Sequence, residues 1–187
     1  MAVSNDAGAV EVIDRQRIVV TAPGARGGNQ PYHFAKNLEL AEAEKFLGEC
    51  FEASRSMAVA AVRATTEDLC RQYRLAGAAV LLASSRPSPA LAKILSAHSL
   101  IHAAEGEFYR EVFSKACASL GISVTGVRER DLDEQVKEAF GELANRILQE
   151  VSDAGRSLGP PWTADQKMAT LAALVVLANE QPVIAAR

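Results

Sequence analysis

Two short runs, "GAAVLLASS" at 77–85 and "ISVTGV" at 122–127, restrict the architecture more than any other feature of the chain. The first is continuously apolar rather than alternating, which is the pattern of a strand covered on both faces. Between them Ile101, Ala104, Phe108 and Val112 recur at three- and four-residue steps, the spacing of a helix with one buried stripe, and Gly121 supplies a stop. Strand, helix and strand in this order predict two adjacent parallel strands joined by a right-handed crossover. The chain is therefore expected to be an α/β protein.

The flanking segments add elements to this unit. "AVEVI" (9–13) and "RIVVT" (17–21) are β-branched runs on either side of the polar "DRQ", which predicts a hairpin, and "YHFAK" (32–36) is expected to be a third strand. The intervening "PGARGGNQP" lacks the Gly-Lys-Ser/Thr ending of a phosphate loop and reads as a connector. From Leu38 to Tyr73 the spacing is helical, with a break allowed at the β-branched pair Thr65 and Thr66. Ser88 and Pro89 read as the cap and first turn of a helix through Leu95. Asp131 and Glu134 read as a capping box for a helix running past Gly141 to Gly155. "LGPPW" makes a rigid turn, and Thr163 with Gln166 caps the apolar closing helix "KMATLAALVVLA".

With 187 residues, 49% of them hydrophobic, the chain has enough material for one buried core, and a single domain over 1–187 is expected, with 1–8 and 180–187 as frayed tails. It holds no apolar run of about eighteen residues and no basic-then-apolar leader, so a cytoplasmic location without a membrane partner is expected. A net charge of −3 argues against sequence-independent binding to nucleic acid. Cys50, Cys70 and Cys117 are far apart and form no CxxC pair, so they read as reduced thiols.

Taken in order, "AAVLLASS" as a fourth strand, "AAEGEFYREVFSKACASLGISVTGV" as a helix plus fifth strand and "DQKMATLAALVVLA" as a last helix resemble the ribonuclease H-like superfamily. Within it they look most like the Holliday-junction resolvase branch, over roughly residues 75–178. The resemblance implies a three-layer fold: an N-terminal antiparallel meander extended by parallel strands, with helices on both faces. It also implies a two-metal nuclease site built from carboxylates of the first strand, the fourth strand and the last helix. Asp165, at the head of the last helix, and Glu11 or Asp14, on the first strand, match such positions. Where the family has a glutamate at the end of the fourth strand, this chain has Ser84 and Ser85, and that departure points to a lapsed or altered site. Asp165 reads first as a first-turn acid that complements the helix dipole.

A second group of chemistry-bearing residues lies in "HSLIHAAEGE" (98–107). At about 100° per residue, His98, His102, Glu105 and Tyr109 fall within about 60° of arc, beside the buried stripe. Two histidines one turn apart chelate a single zinc or similar ion, with Glu105 as third ligand. The plainer interpretation makes His98 an exposed residue near a helix junction and gives His102 a hydrogen bond to neighbouring backbone. Two functions follow. The favoured one is a non-catalytic or lapsed ribonuclease H-like module acting in binding or self-association, for instance as a homodimer. The alternative is a metal-dependent phosphodiesterase or nuclease acting on nucleic acid, whose carboxylates and histidines (Glu11 or Asp14, His98, His102, Glu105 and Asp165) converge at the edge left by the fourth and fifth strands around a divalent zinc, manganese or magnesium ion.

Overall fold

β-Branched residues at alternate positions form the first sheet, but not with the expected partner. The computed structural model describes residues 1–6, 9–83 and 88–180. In it β1 (Ala2–Asp6) pairs antiparallel with β2 (Ala9–Asp14), with Val3 opposite Val12 and Ser4 opposite Glu11. Residues 2–6, expected as a frayed tail, thus take the place assigned to 17–21, which form no strand. The reason lies in the expected turn. The Arg15 guanidinium donates to the carbonyl oxygens of Leu158, Gly159 and Pro161 at 3.1, 3.0 and 2.7 Å, which holds the chain away from a tight reversal. Ile18 and Val20 then spend their apolar surface in a helical core instead of a ladder.

The described parts of Ile18–Arg74 and Ser85–Ile122 form one compact unit, and those of Met1–Arg17, Leu75–Ser84 and Ser123–Arg187 another. The first of these is helical. "YHFAK", expected as a strand, belongs to α1 (Pro31–Ala35), where Pro31 occupies the first helical position with its φ already set. α2 (Leu40–Leu69) runs unbroken through the threonine pair, whose hydroxyls donate to the carbonyls of Ala61 and Val62 at 3.0 and 2.9 Å instead of leaving the helix. α3 (Leu91–Leu95) starts later than expected, flanked by Ala90 with no side-chain cap, so Ser88 does not act as one. The extended backbone of Ala97 then separates it from α4 (His98–Ser119). Ile101, Ala104, Phe108 and Val112 are all buried along α4, as their spacing predicts. Phe108 meets the rings of Tyr32 and Phe51 edge-on, at centroid distances of 6.2 and 5.6 Å, and so joins α4 to both α1 and α2.

In the other unit β3 (Ala78–Leu82) and β4 (Val124–Arg128) pair in parallel, from Ala78 opposite Val124 to Leu82 opposite Arg128, as the two apolar runs predict. Ser84 and Ser85 lie outside the described residues, as does the tail after Glu180. Asp131 does not cap α5 (Leu132–Phe140); its carboxylate pairs with Arg130 at 3.2 Å and Arg128 at 3.5 Å. Gly141, at a φ of 54°, ends that helix, so the expected continuous run to Gly155 is divided into α5, α6 (Ala144–Asp153) and α7 (Gly155–Leu158). At the head of α8 (Ala164–Glu180) the Thr163 amide donates to Gln166 Oε1 at 2.8 Å, half of the predicted box.

The protein is α/β, and among the described residues its strands form one antiparallel and one parallel pair. No described helix is long and apolar enough to cross a membrane. Val127, Val136, Ile147, Val151 and Leu174 form the core around the parallel pair. Ile147 is 1% exposed, so Ile147→Val, which removes one methylene, is expected to lower stability by about 0.5–1.5 kcal/mol in urea denaturation.

Candidate metal centre

α4 places two imidazoles on one face because it begins at His98, with His102 one turn further on. Their Nε2 atoms are 3.0 Å apart and both side chains are exposed. At that distance one nitrogen donates and the other accepts when no ion lies between them. The third imidazole comes from α1. The His33 ring lies 5.4 Å from that of His98 and 4.7 Å from that of His102, centroid to centroid. These are all three histidines of the chain. One donor atom from each lies within 4.8 Å of the others, and among the described residues this group contains no acid or thiol.

Glu105 sits behind the group rather than within it. It is only 9% exposed, on the same helix and nearly one turn beyond His102. Its Oε1 accepts hydrogen bonds from the backbone amides of Tyr32 and His33 at 2.9 and 3.1 Å, and lies 3.3 Å from His33 Nδ1. Those amides belong to the first turn of α1, whose flanking Gln30 offers no side-chain cap. A carboxylate from α4 therefore does the work of an N-cap and at the same time fixes the ring of His33. The other oxygen, Oε2, is buried with no hydrogen-bond partner among the described residues.

Burial, and then the charges of Glu105 and Glu111, hold the Tyr32 phenol above its usual range. Burial, followed by Glu49 and Glu105, likewise pushes the Cys50 thiol up, and burial alone raises that of Cys117. Among the described residues neither thiol joins the histidine group. Further along α4, Phe108 and Tyr109 line a pocket of about 270 Å³ that also includes Cys50, Ser54 and Met57.

Of the residues expected to carry chemistry, His98 and His102 meet, and the third member of their group is His33, which sequence reading assigned to a strand. Its signals were Pro31 as a helix start and the small number of histidines in the chain. Glu11, Asp14 and Asp165 belong to the other unit. Glu11 lines a groove with Arg146, Glu150 and Asp153, Asp14 accepts from Gln16 Nε2 at 2.6 Å, and Asp165 stands in the first turn of α8. Among the described residues none of the three joins a group at metal-ligating spacing. Compared with protein-family models, curated proteins and solved structures, the chain matches none.

Proposed function

We propose that this protein binds a divalent transition-metal ion, preferably zinc, through His33, His98 and His102. The observation that carries the reading is the convergence of every histidine in the chain from two helices, with a buried carboxylate behind one of them. Nitrogens sharing a tetrahedral zinc ion lie about 3.3 Å apart, close to the 3.0 Å between His98 and His102. Glu105 favours the His33 tautomer with its proton on Nδ1, which leaves the Nε2 lone pair for the metal. A dication also gives the buried carboxylate a counter-charge beyond its three hydrogen-bond donors. Imidazole donors suit zinc, copper or nickel and not magnesium, which prefers oxygen.

Thermal unfolding with and without zinc tests the reading. With free zinc about a hundredfold above Kd the folded state gains about 2.7 kcal/mol, and Tm is expected to rise by about 5–10 °C. His102→Ala should show no such rise. Equal responses in the two proteins remove the proposal. Glu105→Gln keeps an acceptor oxygen for the α1 amides but loses the charge, and is expected to weaken zinc binding by about 10–100-fold. Isothermal titration at matched pH measures this, and an unchanged affinity would deny Glu105 a part in the centre.

The parallel pairing of β3 with β4 favours a second reading, a ribonuclease H-like module acting in binding or self-association. It ranks lower because "YHFAK" lies in and just after a helix, and among the described residues the antiparallel sheet has two strands where the meander needs three. A concentration-dependent dimer in sedimentation velocity would support self-association, and a monomer throughout would remove it.

A further inference from the structure

We infer that a metal held by the three histidines keeps one exchangeable coordination position, open to small anions, as catalytic centres do and structural ones do not. The inference rests on the three-histidine reading and extends it from binding to reactivity.

The first argument is a count of donors. Zinc in proteins takes four ligands, and structural sites fill all four with side chains while catalytic sites leave one to water or substrate. Here three donors converge, and among the described residues no acid or thiol completes the group.

The nearest acid is committed through one oxygen, and neither of its oxygens joins the group. Glu105 Oε1 accepts from the Tyr32 and His33 amides and faces His33 Nδ1. Swinging this carboxylate into the coordination sphere would strip two buried-side donors of α1 of their acceptor and release the ring that Glu105 orients. The thiols of Cys50, Cys70 and Cys117 are all absent from the group.

Access and charge point the same way. His98 and His102 are exposed, and the His33 side chain is 17% exposed, so the ion would be reached from solvent. Three neutral imidazoles leave a dication its full charge, of which the Glu105 carboxylate offsets half. The remaining positive charge favours an anion such as hydroxide, azide or a substrate carboxylate at the open position.

Cobalt(II) reports this position directly, because its visible absorption follows coordination number and ligand type. The 187-residue chain is loaded with one equivalent of cobalt(II) and titrated with sodium azide. The expected result is a set of visible bands that shift and saturate at one azide per cobalt, and that are missing from His33→Ala and His102→Ala. Bands that depend on the histidines but ignore azide would overturn the inference while leaving the metal site standing. An azide response confined to Glu105→Gln would also overturn it, by placing the carboxylate in the fourth position. Failure of cobalt to bind would remove the metal reading and the inference together.

Discussion

Phe108→Ala is expected to lower the stability of the helical unit by about 3–5 kcal/mol, the usual effect of deleting a buried aromatic ring. Phe108 is 5% exposed in the middle of the α4 stripe, and its ring contacts Tyr32 on α1 and Phe51 on α2 edge-on. Its removal would open a cavity where three helices meet and abolish three aromatic pairs, with Tyr32, Phe51 and Tyr109. Tyr32 precedes His33, so the variant should also loosen the third histidine and bind zinc more weakly than its residual fold would suggest. Chemical denaturation followed by circular dichroism gives the stability change. A loss below about 1 kcal/mol would mean that α4 does not bury this face.

The second large effect is on metal affinity. His33→Ala is expected to weaken zinc binding by more than about 100-fold, since removing a ligand should exceed the 10–100-fold effect of losing a group behind one. The two histidines that remain lie on one helix and lack the third direction that α1 supplies. The fold should survive, because the His33 side chain is partly exposed and Glu105 keeps its two backbone donors. Competition with a chromophoric chelator gives the affinity. A change of less than about tenfold would show that His98 and His102 suffice without α1.

Some elements were legible because their cause is local. The β3–β4 pair follows from two apolar runs with helical spacing between them, and the buried face of α4 from a four-residue stripe. His98 and His102 were found together because one helical turn brings them together. What escaped has its cause elsewhere in the chain. "YHFAK" carries aromatic residues suited to a strand, and becomes helical with Pro31 at its start and a carboxylate from α4 capping its amides. The third histidine was lost with that misassigned strand. "RIVVT" has β propensity, but Ile18 and Val20 bury against helices while Arg15 ties the preceding turn to the carbonyls of 158–161. Gly141 looked like a tolerable interruption of a long helix, and its left-handed φ makes it the end of one.

X-ray absorption at the zinc edge of the protein loaded with one equivalent tests the three-histidine centre most directly, since imidazole rings leave a multiple-scattering signature that can be counted. Three imidazole nitrogens at about 2.0 Å with one further light atom are predicted. Sulfur at about 2.3 Å, or a shell of oxygens with fewer than two imidazoles, would contradict a centre made by His33, His98 and His102.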